Sequence, residues 1–202
     1  MDTPARVVGI DFDNTIVCFD TLFHRAAVEQ SLIPADLSTS KTAVRDYLRR
    51  AGKEPAWTEL QGYVYGVKIQ DAAPFPGVLD FVARCRERGW KALVISHKTR
   101  HPFLGPRHDL HAAARKWLED RGFAREGLTP DRIFLETTKE DKLRRIGSEG
   151  CLWFIDDLPE FLAEPAFPAS AKPVLFDPNE EYPGHGGAHR LKSWAEIGTL
   201  IL

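Results

Sequence analysis

The chain has 202 residues, 43% of them hydrophobic and 28% charged, the balance of an ordinary globular domain rather than a disordered or fibrous chain. A formal net charge of −2 gives no general attraction to nucleic acid or to an anionic membrane surface, and no run of about 18 apolar residues is present to span a membrane. Three cysteines, Cys18, Cys85 and Cys151, form no CxxC pair, and "MDTPARVVGID" at the N-terminus lacks a charged-then-apolar leader, so a reducing, cytoplasmic setting is expected.

Short apolar runs recur along the chain: "RVVGID" (6–11), "KALVIS" (91–96), "RIFLE" (132–136), "CLWFID" (151–156) and "PVLFD" (173–177). Each is continuous and rich in Val, Ile, Leu or Phe, as strands buried on both faces should be. Between them lie helical patterns. In "PGVLDFVARCRERG", Val78, Phe81, Val82 and Cys85 follow the i, i+3, i+4, i+7 rule, with Gly89 as the stop. "HDLHAAARKWLEDRG" repeats the pattern with Leu110, Ala113, Ala114, Trp117 and Leu118, and "SWAE" (193–196) is a capping box opening a last helix. Strands alternating with helices predict a Rossmann-like, doubly wound parallel α/β sheet.

One interval breaks the rhythm. About 75 residues separate the first strand from "KALVIS", far more than one crossover helix needs. "DTLFHRAAVEQSL", "STSKTAVRDYLRRAG" and "EPAWTELQG" are helical patterns within it. The division expected is a core of 1–19 and 76–202 with a small helical cap inserted at 20–75, "DAAPFPG" being the hinge back. "DPNEEYPGHGGAH" (177–189) reads as a surface loop.

The strand ends are polar where a buried strand should not be. The first ends in Asp11 and Asp13, "LVIS" in Ser96, and "WFID" in Asp156, followed by Asp157. In an open parallel sheet the carboxyl ends of the strands line one edge, where ligands bind. Several carboxylates in one cleft repel one another and need a cation; an all-oxygen donor set selects Mg²⁺.

"DFDNT" resembles the DxDxT signature of the haloacid dehalogenase-like phosphatases, "VIS" their second motif, "TTKEDKLRRI" their third and "FIDD" their fourth. The four occur in the family's order, and the insertion resembles the family's cap. This resemblance implies that Asp11 is the nucleophile that accepts a phosphoryl group and Asp13 the general acid and then base. It also implies that Mg²⁺ is held by Asp11, the backbone carbonyl of Asp13 and Asp156, with Asp157 acting directly or through water. Ser96 binds a phosphoryl oxygen, and a lysine, Lys142 ahead of Lys139, neutralises the remaining charge. The expected activity is hydrolysis of a small phosphorylated metabolite, of the sugar phosphate or nucleotide class, with no nucleic-acid or membrane partner. The alternatives within the family are a phosphotransferase, a dehalogenase or a phosphonate hydrolase; the last two lack the second acid, so Asp13 favours phosphate esters. A phospho-accepting signalling module, the alternative outside catalysis, has no lid.

Other residues carry two readings. "SHKTRHPFLGPRHDLH" is either a substrate-recognition loop or a solvated basic one. Lys41, Arg45 and Lys68 are candidates to touch the rest of the substrate or plain surface charges. Trp57, Tyr63 and Tyr65 fit a cap core as well as a stacking platform. Asp157 could instead cap the short helix that follows it.

Overall fold

The structure, a computed structural model, describes residues 6–183 and 187–202. Residues 1–5, on which the N-terminal reading rests, and the tip of the 177–189 loop lie outside the described residues. The elements run β1 (Arg6–Ile10), β2 (Val17–Cys18), α1 (Asp20–Glu29), α2 (Lys41–Arg50), α3 (Glu54–Tyr63) and β3 (Ala73–Pro74). After these come α4 (Val78–Glu87), β4 (Trp90–His97), α5 (Leu110–Asp120), β5 (Ile133–Glu136) and α6 (Lys139–Ser148). The chain finishes with β6 (Trp153–Asp156), α7 (Pro159–Leu162), β7 (Lys172–Phe176), β8 (His189–Leu191) and α8 (Trp194–Ile201).

Six strands form one parallel sheet in the order β5-β4-β1-β6-β7-β8. Side chains of each strand alternate between two apolar cores, which is why the runs read as continuous. Val8, Ile10, Ala92, Val94, Ile155, Val174 and Phe176 face the core built with α4, α5 and α8. Val7, Leu93, Ile95, Phe154 and Leu175 face the smaller one built with α6 and α7. The sixth strand, β8, has no counterpart among the expected runs: three residues, "HRL", none of them buried, leave no hydrophobic signal. The capping box at α8 holds in a shifted form. Ser193 Oγ accepts from Glu196 N at 3.2 Å, while Glu196 Oε2 accepts from Lys192 N rather than from Ser193 N.

The segment between β2 and β3 contains α1, α2, α3, a π-helical turn at Val64–Lys68 and a 3₁₀ turn at Ile69–Asp71. β2 and β3 pair antiparallel, Val17 with Pro74 and Cys18 with Ala73, so both connections run through one short ribbon. The insertion's buried side chains, among them Phe23, Val44, Leu48, Trp57 and Leu60, belong to the same apolar cluster as α4, α5 and α8. Trp117 Nε1 of α5 donates to Ala72 O at 3.0 Å, and Arg121 donates to Gln70 O and Ala72 O. The loop after β4 also lies on the insertion's backbone. A Cβ at Gly62 would come within 2.7 Å of Pro102, and one at Gly66 within 2.6 Å of His108. Glycine at both places permits that close approach.

Candidate active site

The chain runs from β1 to β4 and β5 on one side, then returns to β6, β7 and β8 on the other. The strand order therefore reverses beside β1, and a crevice opens there at the carboxyl ends. Asp11 N donates to Ile155 O at 2.8 Å, extending the β1–β6 ladder by one residue and placing Asp11 beside Asp156. After Asp11 the chain tightens into one turn, with Ile16 N and Val17 N both donating to Phe12 O at 3.1 Å. Asn14 takes the left-handed conformation this needs, φ 54°, which asparagine tolerates. Asn14 Oδ1 then accepts from Phe19 N at 3.0 Å, just ahead of α1. Asp13 caps no helix and lines the same cavity as Asp11.

That cavity, about 430 Å³, is lined by Asp11, Asp13, Ser96, Lys98, Lys142 and Asp157 from the sheet edge and the elements after it, and by Lys41, Gln61 and Tyr65 from the insertion. Ser96 is buried at the end of β4. Lys142 lies in the second turn of α6, a helix opened by Thr138, whose Oγ1 accepts from Asp141 N at 3.1 Å. Lys142 Nζ sits 2.7 Å from Asp11 Oδ1 and 2.6 Å from Asp156 Oδ2, over the ring of Phe161. Lys139, one turn earlier, reaches the cavity rim but pairs with Glu164 at 2.6 Å, its side chain 43% exposed. Lys142 thus sits in the acidic cluster and Lys139 at the cavity rim.

Asp11, Asp156 and Asp157 each offer a carboxylate oxygen within 4.8 Å of the others, and among the described residues they are the only such group of potential metal ligands. Burial pushes the Asp11 carboxyl up to about 6; Lys142 opposes that, and Asp156 and Asp13 add to it. Burial and then Asp156 hold Asp157 well above the usual carboxylate range. Burial works against the Lys142 charge, but Asp11 and Asp156 more than offset it and raise Lys142 above the usual lysine range. The turn before α7 is capped by Asp156, whose Oδ1 accepts from Leu158 N at 2.9 Å, and not by Asp157. Among the described residues the Asp157 carboxylate accepts no hydrogen bond. A hard divalent cation fits this donor set: oxygens only, mutually repelling, and incompletely hydrogen-bonded.

A stability test follows from Asp157. Its folded-state pKa is raised, so ionisation costs stability as pH rises from the unfolded value of about 3.9 through the folded one. Asp157→Asn removes that cost. The metal-free variant should melt a few degrees above metal-free wild type at pH 7, since 1 kcal/mol moves Tm by about 2–4 °C at this size. The gain should vanish near pH 4, where the wild-type carboxyl is also neutral. Melts in chelator at the two pH values check this; a lower Tm at pH 7 contradicts it.

Lys98 Nζ grips both oxygens of Asp13 at 2.8 Å, with the lysine side chain only 3% exposed. Its backbone is fixed at both ends: Lys98 N donates to Glu136 O at 2.7 Å, and its carbonyl accepts from His111 Nε2 at 2.7 Å. The Tyr65 ring lies 4.3 Å from Lys98 Nζ and 5.7 Å from Lys41 Nζ. In the sequence Lys98 is one basic residue among several in "SHKTRHPFLGPRHDLH". Its position two residues after Ser96 was the available signal; its inward turn was not legible. Of the other candidates, Lys41, Tyr65 and, at the end of β4, His97 also line the cavity; the others do not. Arg45 pairs with Asp46 and Lys68 with Asp71, Arg100 pairs with Asp109, and His101 meets the carbonyl of His108. Trp57 is buried and Tyr63 packs against the core, whereas Tyr65 belongs to both the core and the cavity wall.

No family model and no curated protein matches the chain. Solved structures do. A protein of Clostridium acetobutylicum described as a predicted phosphatase superposes with a TM-score of 0.67 at 14% identity, over 98% of this chain and 99% of that one. YfnB of Bacillus subtilis, described as a HAD-hydrolase bound to magnesium, gives 0.59 at 14% identity over 98% and 99%. A structure described as a dehalogenase gives 0.59 at 12% identity over 99% and 98%. Likeness at this identity establishes architecture, and the architecture is the haloacid dehalogenase-like fold.

Proposed function

We propose that the protein is a Mg²⁺-dependent phosphatase of a small phosphorylated metabolite, working through an aspartyl-phosphate on Asp11. One observation carries this: Asp11, Asp156 and Asp157 cluster at the sheet's switch point with Lys142 bound to two of them and Asp13 at the same cavity. The magnesium-bound neighbour of the same fold supports the choice of metal. Asp11, Asp156 and the backbone carbonyl of Asp13 would hold the ion, with Asp157 beside them. When bound, the ion neutralises phosphoryl oxygens and orients the group for in-line attack.

The chain's own groups do the rest. The Asp11 oxygen not engaged by Lys142 attacks phosphorus, and the ester oxygen leaves with a proton from Asp13. Lys98 contacts both Asp13 oxygens; when Asp13 takes up its proton it gives up one of these contacts, its O–H turns to the leaving group, and the carbonyl oxygen stays with Lys98. Asp13, now ionised, takes a proton from the water that cleaves the aspartyl-phosphate. Lys142 and Ser96 offset and orient the phosphoryl charge. The insertion acts as a cap that holds the leaving part and excludes water, with 20–75 as its span and 1–19 with 76–202 as the core. The second acid, held in place by Lys98, favours phosphate esters over a dehalogenase reaction.

Turnover of p-nitrophenyl phosphate should require Mg²⁺, vanish with chelator and return on adding metal. Ca²⁺ should inhibit, because it takes more ligands in looser geometry. Undiminished hydrolysis after exhaustive chelation would falsify the metal assignment.

A further inference from the structure

We propose that Lys41 and Lys98 form a second anion subsite, so that the substrate is a small phosphate ester carrying another negatively charged group, a carboxylate or a second phosphate, on its leaving part. This rests on the phosphatase reading above and specifies its substrate class.

The four lysines of the cavity divide into two pairs. Lys142 is engaged by Asp11 and Asp156, and Lys139 by Glu164. Lys41 and Lys98 stand apart from these and flank one ring, Tyr65. Between them they have one carboxylate in contact, Asp13, which Lys98 holds. Lys41 has no carboxylate within 4 Å among the described residues; the Tyr65 hydroxyl is its nearest polar partner, and Asp157 and Asp13 act on it from farther off. The two ends of the cavity therefore carry opposite surpluses. The floor has three clustered acids against Lys142 and is answered by a divalent cation. The wall has two ammonium groups against Asp13 and is answered by an anion.

An exposed lysine needs no such partner, because water solvates it. Lys98 is buried, with its backbone pinned at both ends, and Lys41 is half-buried in the first turn of α2. Taking ammonium groups out of water costs free energy that an ion pair or hydrogen bonds must offset. Asp13 supplies that for Lys98 and the Tyr65 hydroxyl part of it for Lys41; a carboxylate or phosphate beside Lys41 supplies the charge it still lacks, and Gln61 and Thr99 add neutral polar groups for the rest of the molecule. A volume of about 430 Å³ holds more than a phosphoryl group, so there is room for a leaving part of several heavy atoms.

The test is competition against p-nitrophenyl phosphate, using the full chain with Mg²⁺. Two pairs of compounds differ by one charged group: 3-phosphoglycerate against glycerol 3-phosphate for a carboxylate, and glucose 1,6-bisphosphate against glucose 6-phosphate for a second phosphate. The charged member of at least one pair should have an inhibition constant lower by about tenfold or more, as a charge-assisted hydrogen bond supplies. The pair that shows it tells which anion the site takes. In Lys41→Met the ratio should collapse to within about twofold, and in Lys41→Arg it should persist. Equal constants within both pairs, or no competition by any of the four, overturn the subsite and leave the phosphatase reading standing. A ratio that survives Lys41→Met overturns the role of Lys41. Should Lys41→Met fail to fold, the wild-type ratios and Lys41→Arg still decide. No turnover of p-nitrophenyl phosphate at all removes the phosphatase reading, and the subsite with it.

Discussion

Asp11→Asn should abolish turnover, by about 10⁴-fold or more, while the protein stays folded. Removing a nucleophile leaves only binding and electrostatic contributions to the rate, which is why such losses are large. The fold should tolerate the change because the ionised carboxyl is costly where it stands. Burial raises the Asp11 pKa to about 6, so in the metal-free protein this group loses stability as pH rises from about 4 to about 6. Asparagine keeps an oxygen to accept from Lys142 and never ionises. Above pH 6 the metal-free variant should therefore melt no lower than metal-free wild type. Steady-state kinetics with melts in chelator read both halves, and near-wild-type turnover by a homogeneous variant would sink the assignment.

The second large effect separates two lysines one helical turn apart. Lys142→Ala should lower kcat/KM by about 10² to 10³-fold, as losing a charge that faces a developing oxyanion typically does. Its removal also leaves Asp11 and Asp156 without their shared cation, a loss that costs about 3–5 kcal/mol when a buried pair is broken. If Lys142→Ala proves too unstable to assay, Lys142→Met, which keeps most of the apolar stem, gives the kinetic readout. Lys139→Ala should stay within about threefold of wild type, because an exposed ion pair such as Lys139–Glu164 contributes roughly 0–1 kcal/mol. A strong defect in Lys139→Ala with a near-normal Lys142→Ala would reverse the roles. Two near-normal variants would move the search to Lys98.

Much of this was legible in the sequence, and for physical reasons. A strand buried on both faces has to be apolar throughout, so Val7–Ile10, Leu93–Ile95 and Phe154–Ile155 announce themselves, and the acids that interrupt them stand out. β8 was not legible, because a partly exposed edge strand of three residues needs no apolar pattern. The insertion's helices were legible from their periodicity. Its anchoring was not: the β2–β3 ribbon is two residues a side, and the packing of Pro102 and His108 on Gly62 and Gly66 depends on contacts distant in sequence. In the candidate site, strand ends fix where Asp11, Ser96 and Asp156 emerge. Lys98 and Lys41 sit outside that logic. A loop residue and a helix residue reach the cavity only through tertiary packing: the place of Lys98 two residues after Ser96 is its one signal, and nothing in the sequence separates Lys41 from Arg45 and Lys68 as the inward one.

Trapping the intermediate shows whether Asp11 carries the phosphoryl group. Asp13→Asn should still permit attack by Asp11 on p-nitrophenyl phosphate, whose leaving group needs no proton, but should slow the hydrolysis that follows. Quenching that variant in acid after brief incubation with ester and Mg²⁺, then mapping its peptides by mass spectrometry, should find one phosphoryl group on the peptide containing Asp11 and none in Asp11→Asn. A phosphoryl group on any other residue, or rapid turnover with the Asp11 peptide never labelled, would contradict the account.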